Sequence, residues 1–274
     1  MTLSLPHHKS LSLGVPVAVM GIVNVTPDSF SDGGAFVTAD AAAEHGARLA
    51  AEGAAILDIG GESTRPGASS VTAEEEIARV VPAIAALRER VEVPISVDTM
   101  KARVALAAIE AGASIVNDVW GFQRDPDIAR VVADTGAAAV LMHNRETIEP
   151  ALDVVADVLG FLSRSIDIAL AAGVEEERLI VDPGFGFGKT PAQNLAVVRR
   201  LDEFAALGRP VLLGVSRKST IGRVTGQDRP VDRLAGSLAA GLIGVANGAA
   251  ILRAHDVAAH VQALKVAHAI AAAP

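Results

Sequence analysis

Eight short apolar runs recur along this 274-residue chain, and each one stops at a polar side chain. Residues 19–23 end at Asn24, 55–57 at Asp58, 95–97 at Asp98 and 115–116 at Asn117. Residues 138–142 end at His143, 179–181 at Asp182, 211–215 at Ser216 and 249–252 at Arg253. Strands of a parallel sheet covered by helices are buried on both faces, so they read as unbroken apolar runs rather than alternating ones. Helix-length, alanine-rich stretches separate the runs, at 39–52, 73–89, 101–111, 126–135, 152–172, 193–207, 229–246 and 257–272. A doubly wound sheet would also alternate strands and helices. Eight units within a length close to the ~250 residues typical of a closed barrel point instead to an α/β fold, a TIM (β/α)8 barrel. Such a barrel brings its strand C-termini to one face, where the loops build the site.

No linker or charge block divides the sequence, so it reads as one barrel domain, 17–274, behind an N-terminal extension, 1–16. Thr72 and Glu75 have the spacing of a capping box, and Gly53, Gly112, Gly136 and Gly173 stand where helices should end. Two strand-to-helix connections, 25–37 and 60–70, are long, polar and glycine-hinged, as mobile lids over a site would be.

The function classes narrow on composition. Aromatics make up 3% of the chain and tyrosine is absent, which removes the stacking platforms of single-strand nucleic-acid binders. A formal charge of −8 argues against a broad phosphate-backbone surface. With no cysteine there is no disulfide framework, thiolate nucleophile or cysteine-held zinc, a composition compatible with the cytoplasm. Residues 1–14 have no signal-like apolar core, and glycines interrupt the short apolar stretch 238–252, so no membrane association is expected.

The segment from Asp182 to Thr190 ends like a phosphate-binding P-loop, but Pro183 stands where that motif requires glycine. Its glycines fit close approach of the backbone to a flat ligand. Asp98, Asn117 and Asp182 come from different strands and would face one another across the barrel mouth. They could hold a divalent metal or accept paired N–H donors from a nitrogen heterocycle. Two carboxylates and an amide without a nearby histidine favour the heterocycle. Arg217, Lys218 and Arg253, at the ends of the last two strands, suit the phosphate position of many barrels, although Arg217 by itself reads as a structural residue. His143 reads as a satisfied structural histidine, and His7, His8, His45, His260 and His268 carry no supporting pattern.

Taken together, the motifs resemble a known family. Residues 20–34 (MGIVNVTPDSFSDGG) and 58–67 (DIGGESTRPG) closely resemble the two signatures of dihydropteroate synthase. Asp98-Thr99, Asn117-Asp118, the run from Asp182 to Lys189, the run from Ser216 to Ser219, and Arg253-Ala254-His255-Asp256 complete the set in order. The resemblance implies condensation of (7,8-dihydropterin-6-yl)methyl diphosphate with p-aminobenzoate, giving 7,8-dihydropteroate and pyrophosphate for folate biosynthesis. It implies that Asp98, Asn117 and Asp182 bind the pterin, with Lys218 on its ring heteroatoms and Phe187 among the substrate-binding residues. Asn24, Arg253 and His255 would hold the diphosphate, Asn24 also through Mg²⁺, with Thr64 helping. Phe30, Pro66, Lys218 and Ser219 would frame the p-aminobenzoate pocket, and Asp32 would stabilise the reacting carbon. Asp32, Lys218, Arg253 and His255 are thus the expected catalytic set. A homodimer and competition by sulfonamides are further implications, and no nucleic acid is an expected partner. A pterin-dependent methyltransferase would share the carboxylates but not need the 26–34 loop. A Schiff-base aldolase using Lys218 lacks any feature demanding a carbonyl substrate, and a non-catalytic paralogue would have lost the loop residues present here.

Overall fold

The computed structural model describes residues 2–14, 16–25, 35–63 and 70–274, with the backbone alone for 35–38. Two short strands, β1 (Thr2–Ser4) and β2 (Ser10–Ser12), pair antiparallel. The next eight are β3 (Ala18–Asn24), β4 (Ile56–Gly60), β5 (Ile95–Asp98), β6 (Ile115–Asp118), β7 (Ala138–Met142), β8 (Leu179–Asp182), β9 (Val211–Leu213) and β10 (Ala249–Ala254). They pair in parallel, and β10 closes on β3 to complete the barrel. The helices α1 (Ala35–Ala51), α2 (Ala73–Arg88), α3 (Ala102–Ala111), α4 (Asp127–Thr135), α5 (Val154–Ala171), α6 (Pro191–Arg199), α7 (Ser219–Thr225), α8 (Leu234–Ala246) and α9 (Val257–Ala271) lie between and after the strands. The expected fold class is therefore the observed one. Among the described residues, no helix is long and apolar enough to cross a membrane.

Local chemistry sets these elements. The Thr72 hydroxyl accepts from the Glu75 amide at 3.2 Å while the Glu75 carboxylate accepts from the Thr72 amide at 2.9 Å, which starts α2. Gly136 ends α4 in a left-handed conformation, φ 68°, that costs glycine nothing. Two expected helices are corrected. The stretch 193–207 is α6 followed by a 3₁₀ helix, Leu201–Leu207, and 229–246 is a 3₁₀ turn, Pro230–Arg233, followed by α8. The first divides at Arg200, whose ψ of 28° has left the helical region.

Side-chain alternation divides each strand between two cores. Val19, Val23, Leu57, Val97, Val116 and Val181 face the helices. Met20, Ile56, Ile115, Ala138, Val140, Ile180, Leu212 and Ile251 fill the barrel interior, together with Leu3, Leu5, Leu11 and Leu13 from the N-terminal hairpin. The hairpin thus fills the lower end of the barrel. Because alternate side chains share a face, the residue two beyond each interior position also points inward. Ile56 is followed in this way by Asp58, Ile115 by Asn117, Ile180 by Asp182 and Ile251 by Arg253.

Candidate active site

The strand register aligns the ends of neighbouring strands. Asn24 lies opposite Gly60, Gly60 opposite Asp98, and Asp98 opposite Asn117. An inward row of polar groups therefore runs around the barrel rim, with Asp182 ending β8 and Arg253 near the end of β10. Two inward positions of this row are glycines. A methyl group built on Gly60 would lie 3.6 Å from Cβ of Asp98 and 3.8 Å from Oδ1 of Asn24. On Gly214 it would lie 3.7 Å from Cβ of Arg253, 3.8 Å from Nζ of Lys218 and 3.9 Å from Oδ2 of Asp182. Glycine at these two positions keeps space open between groups that converge from four strands.

A network of ion pairs lies beneath that opening. Arg253 donates from Nε to Oδ2 of Asp58 at 2.6 Å and from Nη2 to Oδ2 of Asp98 at 2.7 Å. Asn117 donates from Nδ2 to the same Asp58 oxygen at 3.0 Å. Asp58 is fully buried, so it does not reach the mouth itself; it orients the two groups that do. The sequence left its role open. Burial is the largest influence on Arg253 and opposes its charge, yet Asp58 and Asp98 together hold its pKa above the ordinary value. Burial pushes the Asp98 carboxyl up, Arg253 pulls it back, and Asp58 pushes it up again. Asp182 is also raised by burial, against the pull of Lys218, the Gly184 amide and Arg253. The Gly184 N–H donates to Asp182 Oδ1 at 2.7 Å. Lys218 is depressed to about 8 by burial, with Asp182 opposing. Its ammonium donates to the carbonyl of Phe185 and lies 4.6 Å from the centre of the half-buried Phe187 ring.

Two residues before Lys218, the Ser216 hydroxyl holds the ring of His255 (Oγ to Nδ1, 3.0 Å) and accepts from the His255 amide at 3.2 Å. A cavity of about 600 Å³ is lined by Asn24, Arg217, His255, His45 and Arg48, so Asn24 and His255 share one space. Arg217 is engaged with Asp256 (Nε to Oδ2, 2.9 Å), which bears out its structural reading. Ser219, the first residue of α7, is exposed. The structure thus brings together Asn24, Asp98, Asn117, Asp182, Phe187, Lys218, Arg253 and His255 around the rim. Phe30, Asp32, Thr64 and Pro66 lie outside the described residues, as do most of the two expected lids.

His143 follows the inward-facing Met142, so alternation turns it away from the barrel lumen. It is buried, edge-on to Phe161, and donates from Nε2 to Asp157 at 3.0 Å. Sequence reasoning missed its other partner, the buried Lys189, whose Nζ lies 2.7 Å from Nδ1 of His143. A lysine directly after a glycine-rich turn was the available signal, but it drew notice only as the end of a failed P-loop and of a family motif, with no role of its own.

Comparison with known proteins settles the family. Residues 20–255 match a family described as pterin binding enzyme. A dihydropteroate synthase of Bacillus subtilis is 49% identical over 248 residues, covering 90% of this chain and 86% of the relative. One of Clostridium beijerinckii is 47% identical, covering 94% and 96%. The chain belongs to the dihydropteroate synthase family. Solved members of that family superpose closely. A Xanthomonas albilineans dihydropteroate synthase with 4-aminobenzoic acid matches at TM-score 0.91 and 51% identity, covering 94% of each chain. The enzyme of the same organism in complex with 7,8-dihydropteroate matches at TM-score 0.91 and 47% identity over 100% of both. The family is one of transferases, and the chain is an enzyme of that class.

Proposed function

We propose that the chain condenses (7,8-dihydropterin-6-yl)methyl diphosphate with p-aminobenzoate, releasing pyrophosphate, in folate biosynthesis. The observation that carries this reading is the inward row of Asp98, Asn117 and Asp182 around the gap left by Gly60 and Gly214, with Lys218 on its edge. That arrangement fits a flat ring whose N–H groups donate to carboxylates and whose ring nitrogens or carbonyl accept from an ammonium. The Xanthomonas enzyme solved with dihydropteroate, at 47% identity over the whole chain, supports the same choice.

An arylamine is a neutral nucleophile near pH 7, so the reaction requires no strong base. The slow event is departure of diphosphate from a carbon whose positive charge the electron-rich pterin can share. We infer a dissociative substitution in which Asn24, Arg253 and His255 receive the departing anion and the pterin contacts fix orientation. Asp32 is assigned to the transient cation, and Phe30, Pro66, Lys218 and Ser219 to the p-aminobenzoate pocket, with Thr64 on the diphosphate.

The chain's own donor set bears on Mg²⁺. Near Asn24 it offers one amide oxygen, while the neighbouring Asp98 is tied to Arg253, and no cluster of three His, Cys, Asp or Glu suited to a metal exists among the described residues. Mg²⁺ keeps several waters and commonly binds through one or two protein oxygens plus substrate phosphates. Asn24 fits an ion that arrives with the diphosphate. When bound, the ion supplies charge neutralisation to the leaving group. A cytoplasmic, homodimeric enzyme open to competition by sulfonamides completes the reading.

A coupled assay of pyrophosphate release tests it. Release should require both p-aminobenzoate and Mg²⁺, and sulfamethoxazole should compete with p-aminobenzoate. Asp182→Asn should raise the pterin KM ~10–100-fold, the equivalent of about 1.5–3 kcal/mol for a hydrogen bond to a charged group. Asp32→Ala should lower turnover far more than pterin affinity. Release that ignores p-aminobenzoate, or an Asp182→Asn enzyme with an unchanged pterin KM, would overturn the assignment.

A further inference from the structure

We infer that Lys189 is a positioning residue for this reaction: its ammonium, set on the carbonyls of Gly184 and Phe187 and on the imidazole of His143, holds the turn that aims Asp182 and Phe187 into the mouth. The inference rests on the reading of the mouth as a pterin site.

Lys189 is 6% exposed, and a buried lysine is rare unless it is paired. Its three N–H donors meet three acceptors: Nδ1 of His143 at 2.7 Å, the carbonyl of Gly184 at 2.9 Å and that of Phe187 at 3.2 Å. None of the three carries a charge. His143 can accept only as the tautomer protonated on Nε2, and the bond from Nε2 to Asp157 fixes that tautomer. Burial, followed by the Lys189 ammonium, holds His143 well below its ordinary range, so it remains a neutral acceptor. Arg145 also pairs with Asp157 and keeps that carboxylate in place.

This arrangement costs more than an apolar side chain would, because burial disfavours the ammonium and, among the described residues, no carboxylate pairs with it. What it achieves is a tie between two loops, one following β7 and one following β8. Gly184 is the point of contact. A methyl group there would lie 1.9 Å from the His143 carbonyl oxygen, and its φ of +68° suits glycine. The Gly184 amide holds Asp182, and the Gly184 carbonyl is held by Lys189. The second carbonyl belongs to Phe187, whose ring lies beside Lys218. Lys189 therefore acts on the pterin acceptor and on the aromatic wall through one turn of backbone.

The test is the kinetics of Lys189→Met, which preserves the stem and removes the donors. The KM for the pterin substrate should rise about tenfold or more, while the KM for p-aminobenzoate at saturating pterin stays within twofold. His143→Gln, which keeps an acceptor, should remain within threefold of the parent, whereas His143→Leu should follow Lys189→Met. The His143 pair decides the matter if Lys189→Met does not fold. A pterin KM unmoved in Lys189→Met, or equal loss in both His143 variants, would overturn the inference. Calorimetric binding of a pterin without leaving group to the parent and to Asp182→Asn separates the two levels. If the parent fails to bind, the site reading fails. If the parent binds, Asp182→Asn does not and Lys189→Met binds like the parent, only the positioning role fails.

Discussion

At the scale of single residues, opposite charges converge on the rim. Asp58 and Asp98 share Arg253 on one side of the rim, and Asp182 faces Lys218 across Gly214 on the other. The buried Lys189 and the half-buried Lys218 set a pH dependence. Burial depresses Lys218 to about 8 and Lys189 to about 7, against 10.5 for a free side chain. Above these values the folded enzyme loses ammonium groups that the proposed chemistry uses, so the pterin KM should rise as pH increases from 6.5 to 9. In Lys218→Met the remaining rise should centre above 7, because the Lys218 charge that helps to depress Lys189 is gone. Unfolding does not account for this loss. Between the folded values and 10.5 the unfolded chain binds more protons than the folded one, so these two groups make stability increase with pH. Initial rates across the pH series, with melting temperatures at each point, check both signs; a pterin KM flat to pH 9 would count against charged lysines at the mouth.

At the scale of elements, strand alternation made much of the site legible in advance. Asp58, Asn117, Asp182 and Arg253 each follow an inward apolar residue at a spacing of two, so their direction was implicit in the runs themselves. Helix bounds were less legible. The apolar pattern of 193–207 continues past Arg200 although the backbone does not, and the helix Ser219–Thr225 has too few residues to show a period. Lys189 was hidden for a different reason. Its partners are two carbonyls and a histidine from another loop, and backbone acceptors leave no trace in sequence. The turn it holds offers a comparison. Gly184 and Gly208 both have positive φ, 68° and 62°, but only Gly184 has a neighbouring backbone oxygen where a side chain would begin. Gly208→Ala should cost ~1 kcal/mol of backbone strain. Gly184→Ala should add the overpacking cost, ~1–3 kcal/mol, and raise the pterin KM as well. Urea unfolding of the two variants checks the difference; equal midpoints would show that the two loops do not meet as described.

At the scale of the whole molecule, the two ends of the barrel do different work. The lower end is filled by four leucines of the N-terminal hairpin, and the upper end is opened by glycines and lined with charge. The outer ring of helices is not uniformly covered with polar groups. Helix α8 carries no charged residue from Leu234 to Ala246, a composition that belongs to a helix buried on all sides. Yet Ala235, Ala239, Ile243 and Ala246 are exposed, at spacings of three and four that place them in one stripe. On the neighbouring α9, Val266 and Ile270 are 57% and 71% exposed. A second copy of the chain, applying the same stripe across a two-fold axis, would cover both helices with a self-complementary apolar surface. We therefore propose α8 and α9 as the surface through which the homodimer forms. Light scattering should return a mass twice the 28.0 kDa of the chain. Ile243→Asp, which would bury a charge at the centre of the stripe, should shift the protein to a single-chain mass while leaving the pterin KM within about twofold. A parent enzyme that runs as one chain at micromolar concentration, or an Ile243→Asp variant that stays paired, would place the interface elsewhere or remove it.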